Sequence, residues 1–495
     1  MKLFLSYLIV SLFLLMACGS PGTAPQQEKD SSRPPNIIYI LVDDLGYGDV
    51  GCYGQQTLST PHIDQLATDG MRFTQHYAGA TVCAPSRASL ITGKQPGRSS
   101  VRGNGPVGQI LQKEEITLPE AIKPAGYRSA IIGKWGIGNG MKPDDPLQNG
   151  FDEAYGYINM WHAHNFFPEF LYKNGEKVML EGNVVDSSYA YWKGMPEGTG
   201  VAKEKQRYTL FEFEREAMDF IERNKGSSFF LYLALNMPHA NNEAGRFTGD
   251  GMEVPMRQED GQWVAEYGQF EDKDWPGPEK GFARMMELID NTVGKLERKV
   301  AELGLTENTL IIFTSDNGPH EEGKHRVDFF DSNGRLRGKK RDLYEGGIRV
   351  PMIAKWPGKI EAGSESDHLC AFWDVMPTFC EVAGVAVPQD ADGMSFLPTL
   401  LGKGEQEQAP YLYWEFYEQG GKQAIRQGEW KFVKLHVRDE RKDVVRELYH
   451  LPTDLSEEVN LIEQHPDLVE KLDKLMEEAH QEHELFSLFS RPESP

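Results

Sequence analysis

Residues Thr81 to Gly93, TVCAPSRASLITG, combine a cysteine, a proline two places on and a Ser-Arg pair. Pro85 removes a backbone donor, and arginine is seldom buried without a partner, so the string does not read as ordinary core. Leu90 and Ile91 resume an apolar pattern, and Gly93 is a stop signal. The expectation is a loop-to-helix junction presenting Cys83 and Arg87 at the positive end of a helix, where anions bind readily. The plainer alternative is a buried structural cysteine beside a surface arginine.

Other polar groups follow apolar runs in a repeated grammar. Asn36 to Val42 ends in Asp43-Asp44, and Ser129 to Gly133 delivers Lys134-Trp135-Gly136. Phe229 to Leu235 delivers Asn236-Met237-Pro238-His239, and Leu310 to Thr314 delivers Ser315-Asp316-Asn317-Gly318. Continuous apolar runs without alternation suit strands covered on both faces in a parallel sheet. Such sheets place ligands at the carboxyl ends of their strands. Amphipathic stretches at Tyr208–Asn224 and Phe282–Leu303 separate the runs. The alternation predicts an α/β fold, a large and mostly parallel mixed sheet sandwiched by helices.

After a polar break at 402–408, short runs at Tyr411–Phe416, Lys422–Arg426, Trp430–Leu435 and Glu447–Tyr449 predict antiparallel strands. A helix over Pro466–His483 completes a smaller α+β domain. The expected organisation is a leader over 1–17, a tether over 18–33, a catalytic domain over 34–405 and a C-terminal subdomain over 406–495.

The cysteine string resembles the maturation motif of type I sulfatases, in which Cys-x-Pro-Ser-Arg is oxidised to formylglycine by a maturase. Leu90-Ile91-Thr92-Gly93 matches the second half of that motif. The resemblance runs in the family's order from Asn36 to Pro351 and continues through Glu447-Leu448-Tyr449, with an alkaline-phosphatase-like fold implied. It implies a metal site of Asp43, Asp44, Asp316, Asn317 and residue 83. Hard oxygen ligands suit Ca²⁺, with Mg²⁺ second, rather than zinc. It further implies that Arg87 and Lys134 hold formylglycine and sulfate, that Lys340 joins them, and that His239 is the general acid for the leaving alcohol. Leu336-Arg337-Gly338 extends the match and puts Arg337 among the substrate-binding candidates.

One position departs from the family. Many sulfatases carry Gly-Lys-Trp-His, whereas this chain has Gly133-Lys134-Trp135-Gly136. Glycine takes no proton, so His162 or His164, with His320 as rival, is expected to fill the role. Trp161, Asn165, Asn241, Asn242 and Glu243 favour a sugar over a bare aryl group. The family relatives with this glycine and a His-Ala-His-Asn segment imply an exo-acting galactose or N-acetylgalactosamine sulfatase. Alternatives are a phosphonate or phosphate ester hydrolase, or a lipid-anchored binder of sulfated glycans without turnover.

The chain has 495 residues and a formal charge of −23, from 52 basic and 75 acidic side chains. Such a surface repels nucleic acid and anionic membranes, so sulfate must be met by a local cationic pocket. Lys2 and the apolar run Leu3–Leu15 read as an export signal. Leu15-Met16-Ala17-Cys18 resembles a bacterial lipobox, which implies a lipid anchor at Cys18 in the periplasm or at the cell surface. An ordinary secretory signal is the alternative. Cys52, Cys370 and Cys380 allow at most one disulfide.

Overall fold

The computed structural model describes residues 33–488 except 106–109, 140–141, 144, 190 and 193. The expected leader, Cys18 and the tether before Arg33 lie outside the described residues.

The ten-stranded sheet runs in the order Ser364–Ser366, Met71–Phe73, Met352–Lys355, Thr309–Ser315, Asn36–Asp43, Phe229–Pro238, Arg128–Lys134, Glu153–Tyr157, Phe170–Lys173, Glu176–Met179. Its five middle strands, from Thr309–Ser315 to Glu153–Tyr157, are mutually parallel. The strand Asn36–Asp43 lies between two of them and is buried along its whole length. Each Ile or Leu removed from water there contributes about 1.5–3 kcal/mol, which favours an apolar central strand. Helices Thr209–Asn224 and Gly277–Glu302 belong to the core on one face; Cys83–Thr92 and Val375–Ala383 belong to the core on the other.

Register decides what the strand ends share. Val42 is opposite Ser315 and Asp43 opposite Pro238, so the polar residues just beyond these strands emerge side by side. Gly133 is opposite Ala234 with φ +113, where an added Cβ would come within 2.0 Å of the Ala234 carbonyl. Only glycine permits that approach before Lys134.

The hairpin expected at Lys173-Asn174-Gly175-Glu176 forms, with φ +50 and +85 at the two central residues, the pattern of a type I′ turn. The second long helix begins at Gly277, ahead of the expected Phe282, because the prolines around Gly277 suit a helix start. The last helix stops at Ala479 rather than His483, since His480 turns extended and bonds Glu415.

The strands Leu412–Phe416, Lys422–Gln427, Trp430–Leu435 and Val445–His450 form a separate antiparallel sheet. Helix Pro466–Ala479 packs on one of its faces. Trp414, on the other, meets Tyr77 and Trp373 and donates to the Ala78 carbonyl. Lys431 is buried with Glu345 and Glu457, each 2.9 Å away. Cys52, Cys83, Cys370 and Cys380 are all unbridged. Among the described residues no helix is long and apolar enough to cross a membrane.

Candidate active site

Helix Cys83–Thr92 begins at Cys83 after extended Val82 and ends on left-handed Gly93. The expected junction is therefore present, with its cysteine at the first helical position. Asn104 holds that end. Its Oδ1 accepts from the Ala84 amide at 3.1 Å and its Nδ2 lies 3.4 Å from the Cys83 sulfur. Burial pushes the Cys83 thiol up; Lys134 and Lys340 oppose this, while Asp43 and Asp316 reinforce it. All four charged groups thus surround residue 83.

The strand ends supply the rest. Arg87 Nε donates to Asp316 Oδ2 at 2.9 Å and its Nη1 to the Lys134 carbonyl at 2.6 Å. Lys134 Nζ reaches Asp43 Oδ2 at 2.7 Å. Lys340 Nζ lies 2.8 Å from Asp44 Oδ2, 3.1 Å from Glu322 Oε2 and 3.1 Å from His239 Nε2. Asn317 Nδ2 donates to Asp44 Oδ1 at 2.7 Å, and the Asp44 amide to Asp316 Oδ1 at 3.0 Å. Asp44 itself sits at φ +67, a strained setting for a residue with a side chain.

Asp43, Asp44 and Asp316 each offer an oxygen within 4.8 Å of the others, all buried. Burial raises Asp43, yet the charges of Lys134 and Arg87 outweigh it and hold the carboxyl low. Asp316 goes the other way, to about 7, through burial and then the carboxylate of Asp43. Two buried acceptors here, Asp43 Oδ1 and Asn317 Oδ1, receive no hydrogen bond. Orphaned oxygens beside three carboxylates fit a hard divalent cation, which would satisfy both.

A cavity of about 540 Å³, within the usual range for ligand sites of about 300–1,000 Å³, meets this cluster through Lys340, which lines it and bonds Asp44. Cys83, His164, His239 and Lys340 line it, together with Arg341 and Trp192. His239 Nδ1 lies 2.6 Å from the Ala240 carbonyl, so that nitrogen carries the proton and Nε2 accepts from Lys340. Burial, then the Lys340 charge, pushes His239 down to about 3, so its ring is neutral.

The structure divides the other sequence candidates. His164 stacks on His239 at 5.0 Å, with Nδ1 3.2 Å from Glu243 Oε2. His162 does not line this cavity. It is buried against Phe170 and Tyr157, and burial lowers it to about 3. His320 stacks behind His239, and both its nitrogens are used, Nδ1 accepting from the Glu322 amide and Nε2 facing the Pro238 carbonyl. Asn165 accepts from the Phe167 amide, and Asn241 caps the Asn242–Phe247 helix by accepting from Ala244. Arg337 covers the Tyr344 ring at 3.8 Å and bonds Tyr449 and the Glu457 carbonyl. Gly136 has φ +69, and a Cβ there would stand 3.1 Å from Lys134 Cε and 3.2 Å from Arg87 Cδ.

Asn104 and Glu322 belong to no motif of the sequence that pointed to this site. A glycine-flanked asparagine in Gly103-Asn104-Gly105 and a carboxylate two places after His320 were the available signals.

Residues 35–385 match the Sulfatase family, and residues 337–482 match the family described as N-sulphoglucosamine sulphohydrolase, C-terminal. The N-acetylgalactosamine-6-sulfatase of Canis lupus familiaris is 34% identical over 449 residues, spanning 85% of this chain and 74% of its own. Arylsulfatase A of Homo sapiens is 32% identical over 419 residues, spanning 81% and 75%. A solved chain reported with the metabolism of multiple glycosaminoglycans by Bacteroides thetaiotaomicron superposes with TM-score 0.71 at 27% identity, covering 90% of this chain and 99% of its own.

Proposed function

The chain belongs to the sulfatase family and is a sulfuric ester hydrolase, and from that premise we propose that it removes sulfate from sulfated carbohydrates, acting on a terminal galactose or N-acetylgalactosamine unit. The observation that carries this reading is the convergence of Asp43, Asp44, Asp316 and Lys134 at the strand ends with Lys340, which lines one cavity together with Cys83 and His239. The name of the 34% identical relative supports an N-acetylgalactosamine sulfate among the substrates.

In this reading a maturase converts Cys83 to formylglycine, whose hydrate supplies one oxygen to attack sulfur and another to release it. Asp43, Asp44, Asp316 and Asn317, with residue 83, would hold a divalent cation, Ca²⁺ ahead of Mg²⁺. Such an ion, when bound, lowers the pKa of an adjacent hydroxyl and neutralises sulfate oxygens. Arg87 stays locked on Asp316 and the Lys134 carbonyl, so it orients the floor. The ammonium groups of Lys134 and Lys340 meet the charge spread over the transferring SO₃ group.

The leaving alcohol needs a proton. His239 is neutral and faces the Lys340 ammonium through Nε2, so the pair Lys340–His239 is the proton source. For the histidine replaced by Gly136 we assign His164. The Glu243 carboxylate fixes its proton on Nδ1, leaving Nε2 as the acceptor in a residue that lines the cavity with Cys83. The chain is exported and tethered to a membrane through Cys18 in the same reading.

The test is sulfate release by matured protein from galactose and N-acetylgalactosamine sulfates, beside matched phosphate esters, with Ca²⁺ and then with a chelator. Faster cleavage of a sugar sulfate, lost with the chelator, supports the proposal. Faster cleavage of the phosphate esters, or of no sugar sulfate at all, overturns it.

A further inference from the structure

Lys340 and Arg341 are consecutive, yet both line the cavity and both meet the carboxylate of Glu322. In an extended chain two neighbouring side chains point to opposite sides. Here the backbone of Arg341 turns left-handed, φ +78, and the two cations reach the same side. That conformation costs free energy in a residue with a Cβ and is one that glycine adopts freely. It is held from both directions. The Arg341 amide donates to the Thr81 carbonyl at 3.0 Å, on the segment that leads into Cys83, and the Arg341 carbonyl accepts from Lys422 Nζ at 2.6 Å. An arginine kept in a strained backbone at a cavity wall points to a role for its side chain.

A guanidinium carries five N–H donors in a planar fork. Nη1 of Arg341 is anchored on Glu322 Oε1 at 2.7 Å, and the side chain keeps 34% of its surface exposed. The other oxygen of Glu322 lies 3.1 Å from Lys340 Nζ and 3.1 Å from Asn242 Nδ2. One carboxylate therefore separates the guanidinium from the ammonium that meets the SO₃ group. That spacing suits a hydroxyl on the same sugar ring, near the carbon that bears the ester, rather than an atom of a distant unit. Glu418, on the loop between the first two strands of the C-terminal sheet, lines the same cavity and accepts from the Asn104 amide at 2.9 Å. Both carboxylates attract the guanidinium. Arg341 thus offers directed donors with little spare positive charge, which suits a neutral hydroxyl oxygen better than a second anion.

We infer, resting on the sulfated-carbohydrate reading, that Arg341 is a specificity-determining residue. Its remaining donors bind the ring hydroxyl nearest the scissile ester and so select a sugar sulfate over an aryl sulfate. The strained backbone is what lets this residue share Glu322 with Lys340, and the shared carboxylate sets the distance between the sulfate and the hydroxyl that is read.

The experiment uses matured full-length protein and whichever methyl galactoside or N-acetylgalactosaminide sulfate it cleaves, beside analogues in which each hydroxyl near the ester is replaced by hydrogen. With wild type, one deoxy analogue is expected to lose about ten- to a hundredfold in kcat/KM, the worth of a hydrogen bond from a charged donor. Arg341→Ala is expected to lose as much on the parent sugar sulfate and to treat parent and deoxy analogue alike. Its loss on 4-nitrophenyl sulfate, which has no ring hydroxyl, is expected to be smaller. Arg341→Gly, relieved of the backbone strain, is expected to melt above Arg341→Ala while showing the same loss of discrimination, which separates the side chain's role from folding. Deoxy analogues all cleaved as fast as the parent overturn the inference and leave the hydrolase reading intact. So does an Arg341→Ala variant that still discriminates, or one that loses as much on 4-nitrophenyl sulfate as on the sugar. Cleavage of none of the sugar sulfates by wild type overturns both.

Discussion

The ammonium of Lys340 lies 3.1 Å from Nε2 of His239. With Nδ1 of that ring held by the Ala240 carbonyl, the only proton between the two groups belongs to the lysine. Lys340→Ala is expected to lower kcat/KM on a sugar sulfate about 10²–10⁴-fold, the usual worth of general acid catalysis. On 4-nitrophenyl sulfate, whose leaving group departs without a proton, the loss is expected to be smaller, leaving only the part due to the charge that Lys340 offers the SO₃ group. Equal losses on both esters would remove Lys340 from the proton path.

Gly136 is a packing requirement as well as a missing base. Its left-handed backbone and the closeness of Lys134 and Arg87 both oppose a side chain. Gly136→Ala is expected to cost about 1–2 kcal/mol of stability and to lower kcat/KM by displacing those two cations. Thermal melting and steady-state kinetics check this. A Gly136→His variant that is faster and equally stable would contradict it.

The C-terminal sheet is fastened by a buried charge cluster. Lys431 stands between Glu345 and Glu457 with all three side chains fully buried. Burial, helped by Glu345, raises Glu457 to about 7, whereas Lys431 and Arg349 overcome burial to hold Glu345 low. Lys431→Ala leaves Glu457 without its cation, while Glu345 keeps Arg349, and is expected to cost about 3–5 kcal/mol. Urea unfolding measures it, and a loss below about 1 kcal/mol, as for an exposed pair, would contradict the account.

His480 ties the end of the last helix to Glu415 at 2.7 Å. Burial lowers its pKa, but the hydrogen bond and charge of Glu415 raise it further, so the folded value lies above 6.5. A raised pKa means stabilisation that is complete below the unfolded value, about 6.5, and is lost as pH climbs through the folded value. The melting temperature of His480→Gln should therefore fall furthest below wild type in acid and approach it in base. A gap that widens with pH would reverse the sign.

The strands and their polar ends were legible because parallel strands advertise themselves as unbroken apolar runs, and their chemistry follows at once in sequence. Asp43, Lys134, His239 and Asp316 were found that way. What the sequence left hidden was direction within turns. His162 and His164 are two places apart, which in a strand would align them. They sit in a 3₁₀ turn, where positions i and i+2 diverge, so one enters an aromatic nest and the other the cavity. Arg337 looked like a substrate residue because Leu336-Arg337-Gly338 extends the family match, yet the Tyr344 ring and the C-terminal sheet claim it. Asn104 and Glu322 reach the site from loops, where no periodicity points to a partner.

The most direct test is mass spectrometry of the peptide bearing residue 83, on protein made with its maturase, set beside sulfate release by the same sample. The account predicts an aldehyde in place of the thiol, and activity that rises in proportion to the aldehyde fraction and vanishes in Cys83→Ala. An unmodified thiol in a sample that still turns over sugar sulfates, or a Cys83→Ala variant as active as wild type, would contradict it.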